Sequence, residues 1–327
     1  MCISQLFRTC YTFYHYAISM ISYIIRKCGY ALAVLFGVVT TAFLINFVLP
    51  GDPARLMLGQ RADEQSIQAL RVQLGLDKPM YEQYTKYIGR LIQGDLGVSY
   101  STNRDVLETI VDKFPATALL AITAMFFSTL LGIILGIIAA IKANTWIDAT
   151  TMGFALLGIS LPSFVFGLLL LLLFGEIWKI LPSSGYIDKG ISHLFLPMIT
   201  LAFRPLSIIA RVTRSSMLDV LNQDYVRTAR AKGLSESSVI LRHALRNALN
   251  PVVTTVSAWF SGLLAGTFFV EYIFNWPGIG TLAISAIEKL DYPIIQGTVL
   301  LTAIIFVVVN AIVDIIYVFL DPKVKLS

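Results

Sequence analysis

The chain has 327 residues, 56% of them hydrophobic and 14% charged, with a formal net charge of +5 and a mean hydropathy of +0.74. An ordinary soluble protein carries about a quarter of its residues as charges, so this balance excludes one and indicates an integral membrane protein built of spanning helices. The long unbroken apolar runs exclude a transmembrane barrel of alternating strands, and the modest positive charge fits cytoplasmic loop bias and not a nucleic-acid partner.

Residues 1–27 read as an N-terminal extension and cytoplasmic flank, aromatic and weakly basic. Met20, followed closely by the basic pair Arg26-Lys27, reads as an alternative start; detection of Met1 or Cys2 at the native N-terminus would reject that reading. Cys2, Cys10 and Cys28 match no metal or redox spacing. The first span covers 28–49; its length and the lack of a small-residue cleavage pattern identify a retained helix and not a signal peptide. Residues 50–115 form a long extracytoplasmic loop of ordinary soluble composition. Pro50-Gly51-Asp52-Pro53 opens it with a turn, helices are predicted near 63–74 and 79–92, and Gly75 and Pro79 separate them.

The core, 116–320, holds the remaining spans. The second, 116–141, carries Gly132 and Gly136 at the spacing that lets helices approach closely. The third, 150–174, is predicted to kink at Pro162, whose neighbours Ser160 and Ser163 can satisfy the freed backbone. The fourth, 194–214, is interrupted by Pro197, Arg204, Pro205 and Arg211. Arg204 lies about 15 Å past Leu194 at 1.5 Å per residue, near the bilayer midplane, where an ionised side chain faces a bundle interior or an aqueous path. Arg204, Ser160, Pro162 and Ser163 are therefore the candidate translocation-path residues.

A basic amphipathic loop, 215–251, follows. Within it the first short helix sets Tyr225, Val226 and Ala229 against Arg227, Arg230 and Lys232, and Gly233 ends it in the left-handed conformation. Ser235 is the expected N-cap of a second helix, and Asn250-Pro251 is expected to close the unit. The fifth span is placed at 252–270, with Gly262 and Gly266 repeating the close-packing spacing. After a return loop, 271–293, the sixth span covers 294–320, and 321–327 is a short tail. Asp314, about 30 Å along the sixth span, is predicted to pair with Arg211 or Arg214. Lysine and arginine concentrate in 203–250 and are sparse in the 175–193 and 271–293 loops, which places the basic loop and both termini in the cytoplasm.

No G-x-x-x-x-G-K-[ST] loop, H-E-x-x-H motif or complete G-x-S-x-G elbow is present, and the three histidines are scattered. No catalytic residue, metal site or cofactor of the chain's own is expected. A self-contained secondary transporter is the rival reading, but such carriers show buried acid clusters and internal repeats that this chain lacks. A basic hinge that binds lipid headgroups in a structural or signalling protein is a second rival.

Several segments carry a closer likeness. Asp224-Tyr-Val-Arg-Thr-Ala-Arg-Ala-Lys-Gly233, the preceding Arg211-Val-Thr-Arg214 and the following Leu241-Arg-His-Ala-Leu-Arg-Asn-Ala248 resemble the bacterial dipeptide/oligopeptide/nickel ABC importer permeases. Gly75-Leu-Asp-Lys-Pro79, Gly94-Asp-Leu-Gly97, Phe274-Asn-Trp-Pro-Gly-Ile-Gly280 and Asp291-Tyr-Pro293 extend the resemblance over residues 20–325. It is closest to the permease with a long periplasmic loop after span one. The resemblance implies an all-α fold with six transmembrane helices in the bacterial inner membrane. It also implies a second permease subunit, two cytoplasmic ATPases that hold ATP and magnesium, and an extracytoplasmic solute-binding protein. The E-A-A-x-x-x-G coupling helix of such permeases falls on Arg227, Thr228, Ala229 and Gly233, with Arg230 and Lys232 between. Only Ala229 and Gly233 keep the general consensus, as in the peptide/nickel branch. Di- or oligopeptides are the implied substrates, then nickel or a nickel chelate, then peptides such as glutathione.

Overall fold

The computed structural model describes residues 25–27, 29–45, 52–58, 62–265 and 267–320, apart from the side chains of Pro53, Leu56, Ala265 and residues 314–320. Among these residues the only β pairing is an isolated bridge between Val98 and Asp105. The helices are α1 (Ile25–Ile45), α2 (Pro53–Leu58), α3 (Glu64–Leu74), α4 (Met80–Ile92), α5 (Val106–Ile141), α6 (Trp146–Ser160) and α7 (Ser163–Leu170). They continue with α8 (Phe195–Leu221), α9 (Asp224–Ala231), α10 (Glu236–Ser238), α11 (Leu245–Ala265), α12 (Phe268–Ile273), α13 (Ile279–Glu288) and α14 (Tyr292–Leu320). Wide π-helical turns prolong α7 over Leu171–Ile177 and join α10 to α11 over Val239–Ala244.

The loop helices form where the turn residues place them. Asp63 caps α3 by accepting from the Ser66 amide, and Gly75 ends it at φ 72°. Asp105 caps α5 through the Glu108 amide, three turns before the expected start of the second span, so α5 projects well beyond its apolar stretch. α5 and α8 form the central pair. A side chain at Gly132 would collide with Ile209 and the Leu206 carbonyl, and one at Gly136 with Thr213 and the Ala210 carbonyl. Lipid tails are as apolar as leucine, so this close backbone approach, and not the hydrophobic effect, holds the pair together. The equivalent expectation for Gly262 is not met within this chain: nothing among the described residues lies within 4 Å of its would-be side chain. Gly266 is outside the described residues.

Among the described residues, four helices are long and apolar enough to cross a membrane singly: α1, α5, the segment Ile191–Leu221 containing α8, and Tyr292–Val313 of α14. The expected third span is not one kinked helix. α6 and α7 meet at 108°, and they make a fifth crossing if counted together. Proline drives the preceding residue out of the helical region, and Leu161 is extended at φ −83°, ψ 128°, so the chain breaks before Pro162 where a gentler bend was expected. The opposite departure occurs at Asn250-Pro251. Pro251 lies inside α11, because losing one backbone hydrogen bond does not outweigh the packing of the flanking turns.

Two kinds of exposed face result. On α5, Ile122, Phe126, Leu130, Ile134 and Ile138 repeat every four residues and are exposed, the pattern of a lipid-facing stripe. On α8 the exposed positions include Arg204, Arg211 and Ser215, and on α11 they include Asn250, Thr254, Ala258 and Gly262. Two arginines make the α8 face too polar for lipid contact.

Candidate functional site

The basic loop folds as a compact hairpin. Asp224 occupies the first turn of α9, favourable at the positive helix end, and Thr228 bonds back to the Asp224 carbonyl at 2.9 Å. Val226 and Ala229 are buried and pack with Val239, Val220 and Leu221, so Ala229 serves close packing within the hairpin. Gly233 ends α9 at φ 75°, its amide reaching the Arg230 carbonyl at 2.9 Å. Open space surrounds it, so the demand for glycine comes from backbone conformation and not from crowding within this chain.

Arg227, Thr228, Arg230, Lys232 and Gly233 all face outward. Arg230 bridges to Glu236 at 2.9 Å and braces α9 against α10. Arg227 stands 3.7 Å from Asp224 in full solvent, a contact that fixes nothing. Ser235 is the N-cap residue of α10 but makes no capping bond with its side chain. Tyr225 fastens the hairpin to α11 by accepting from Asn247 at 2.7 Å. The result is a rigid protrusion with an apolar inside and a cationic outside.

Immediately before it, Arg214 of α8 makes a two-pronged ion pair with Asp148 at the start of α6. Asp148 is 5% exposed and also accepts from the Asn144 amide at 3.0 Å. Asp148 is the partner seen for Arg214; the Asp314 side chain, expected to pair with Arg211 or Arg214, lies outside the described residues. Arg211 is exposed on the stripe below Arg204. The sequence held a signal for Asp148, a single acid in the first turn of a span at the depth of Arg214, but that signal went unused.

Arg204 is exposed, with its guanidinium 5.7 Å from the ring centroid of Trp259 on α11. That contact holds the cation over an aromatic face without neutralising it. The adjacent Phe203 stacks on Phe166 of α7 at 4.1 Å, and Gly158 of α6 abuts Ser207. The Ser160–Pro162–Ser163 break and Arg204 therefore meet the same stretch of α8, on neighbouring faces.

The opposite end is held by two buried carboxylates that sequence reasoning passed over. Glu271, fully buried, accepts from Thr267 at 2.5 Å and from the Gly280 amide at 2.7 Å, which places it at the positive end of α13. Burial pushes its carboxyl above the usual range, although the hydroxyl and amide donors pull the other way. Trp276, also fully buried, donates to the Ala116 carbonyl at 2.8 Å. Asp291 accepts from Ser99 and Ser101 hydroxyls at 2.6 and 2.8 Å and from the Tyr100 and Ser101 amides. The Phe274–Gly280 and Asp291–Pro293 motifs are thus structural fastenings.

Comparison with known proteins places this architecture. Residues 132–326 match the family described as binding-protein-dependent transport system inner membrane component, and residues 20–121 match its N-terminal family. The glutathione transport system permease protein GsiC of Escherichia coli O6:H1 is 43% identical over 306 residues, 94% of this chain and 99% of that protein. The GsiC of Shigella flexneri serotype 5b is 42% identical over the same length. Among solved structures, the inward-facing MetNI methionine ABC transporter superposes with a TM-score of 0.54 at 16% identity, over 66% of this chain and 97% of that one. The shared fold, the two family matches and the extent of identity converge: this chain belongs to the inner-membrane permease components of binding-protein-dependent ABC importers.

Proposed function

We propose that the chain pairs with a second permease subunit to form the path for di- or oligopeptides, and that ATP hydrolysis on two separate cytoplasmic subunits drives it. The observation that carries this reading is the α9 hairpin: a stiff protrusion that hangs directly from α8 and α11 and presents Arg227, Arg230 and Lys232. A short lever anchored to spanning helices is what rigid-body alternation of access requires. On this reading the hairpin seats on an ATPase and both termini are cytoplasmic. The helices α1, α5, the α6–α7 pair, α8, α11 and α14 serve as six spans, and a solute-binding protein delivers cargo from outside. ATP and magnesium reside on the partners.

A peptide cargo is supported by the near relatives, whose names assign them glutathione, itself a small peptide. Nickel or a nickel chelate ranks second. A role for Arg204 in meeting a cargo carboxylate is supported by its exposure beside the Trp259 ring and by the α6–α7 break against the adjoining stretch of α8. The test is reconstitution of the four-subunit importer with its binding protein in proteoliposomes. ATP-dependent uptake of labelled di- and tripeptides, with none of nickel, is the expected result. Transport by this chain alone under an ion gradient would overturn it.

A further inference from the structure

Apart from the permease core, the long loop bounds an open cavity of about 800 Å³ between α3, α4 and the start of α14. Tyr87 and Tyr292 form part of its wall, 6% and 5% exposed, and their hydroxyl oxygens, sealed from solvent, have no hydrogen-bond partner among the described residues. A buried hydroxyl without a partner is costly, so two in one cavity wall mark a place where something else supplies the acceptors. Four cations, Arg71, Lys78, Lys86 and Arg90, share its wall with three carboxylates, Asp52, Asp77 and Glu82. Arg71 is committed to Asp52 at 2.6 Å and Lys78 to Glu82 at 3.5 Å. Among the described residues, Lys86 and Arg90 have no ion-pair partner and are the cations left over, against one unpaired carboxylate, Asp77. Burial pushes the Tyr87 phenol up to about 12, which keeps it a donor at any physiological pH. Phenol donors beside uncommitted cations select an oxyanion.

The same cavity touches an apolar groove of about 400 Å³ between α1 and α4, lined by Thr40, Phe43, Leu44, Met80, Tyr81 and Tyr84. Phe43 belongs to both and stacks on Tyr87 at 5.7 Å. Tyr84 spends its hydroxyl on Thr40 at 2.8 Å, so the groove presents little but carbon. A polar, cationic pocket beside an apolar groove along a spanning helix, with Phe43 in the wall of both, matches an amphiphile with a phosphate head and an acyl tail. A free soluble anion would leave the groove empty.

We propose that this chain binds a membrane phospholipid here, its phosphate held by Tyr87, Tyr292, Lys86 and Arg90 and one acyl chain along the α1–α4 groove. The test uses the full chain in nanodiscs of phosphatidylethanolamine and phosphatidylglycerol, washed with mild detergent and weighed by native mass spectrometry. The wild type is expected to retain one lipid. The double variant Tyr87→Phe/Tyr292→Phe, which keeps both rings, should lose retention by about tenfold, and Lys86→Gln/Arg90→Gln by a similar factor. Met80→Glu should lower retention while leaving the head pocket intact. Equal retention in all variants overturns the proposal. So does displacement of the lipid by millimolar inorganic phosphate, which would assign the pocket to a free anion.

Discussion

Arg214 and Asp148, separated by 66 residues in the chain, meet through two nitrogen–oxygen contacts that tie α8 to the start of α6 just before the chain enters the α9 hairpin. Removing one partner of a buried pair leaves an uncompensated charge, at a cost of about 3 kcal/mol. Asp148→Ala and Arg214→Ala should each lower thermal stability of the detergent-purified protein, and the double variant should cost little more than either. A coupling of about 1 kcal/mol or more is expected for this pair. Coupling of Arg214 to Asp314 in place of Asp148 would show that the sixth-span carboxylate is the true partner.

At Gly233 the constraint is conformational. The φ of 75° disfavours a β-branched residue by about 1–2 kcal/mol, whereas asparagine tolerates it. In the reconstituted importer, Gly233→Val should depress peptide uptake more than ATP hydrolysis, and Gly233→Asn should retain most of both. Equal behaviour of the two variants would shift the explanation from backbone geometry to crowding against a partner.

Arg204 offers a sharper test of the path. Arg204→Ala should abolish most uptake with normal membrane assembly, and Arg204→Lys should retain part of it. Trp259→Leu should weaken uptake by a smaller factor, because a cation over an aromatic face gains about 0.5–2 kcal/mol. Unchanged transport in Arg204→Ala would remove this residue from the path.

Glu271 predicts a pH dependence. Its carboxyl is raised by burial from the ordinary 4.5, so its contribution to stability is full below the unfolded value and is lost as pH rises through the folded one. Measured against Glu271→Gln, whose amide does not titrate, the wild type should be relatively most stable near pH 4 and lose that margin toward neutrality. A margin that grows with pH would mean that the hydroxyl and amide donors outweigh burial.

Gly278 sits against the Glu271 carboxylate and the Thr117 hydroxyl, leaving no room for a methyl group. Gly278→Ala should therefore fail to accumulate in the membrane, while Gly262→Ala, which meets open space, should accumulate normally; quantitative immunoblotting of membranes separates the two.

Much of this arrangement was legible in sequence because local rules act locally. Gly75 and Pro79 bracket the loop helices within a residue of where they form, and Gly132 and Gly136 make the predicted close approach. The α9 hairpin and its terminating glycine follow from amphipathic spacing alone. What escaped depends on partners far along the chain. Asp148, Glu271 and Asp291 look like loop acids until the fold buries them against Arg214, Thr267 and Ser99. The 108° break at Leu161–Pro162 escaped for another reason: proline forbids the helix locally but does not set the angle, which the packing of Phe166 on Phe203 and of Gly158 on Ser207 fixes.

The four bonds from Ser99, Tyr100 and Ser101 to Asp291 have a mechanical meaning. They clamp the long loop to the residue that launches α14, so the loop cannot swing without dragging that helix along. Whatever docks on the loop is thereby handed a grip on the last span. The loop is a handle and not a cover.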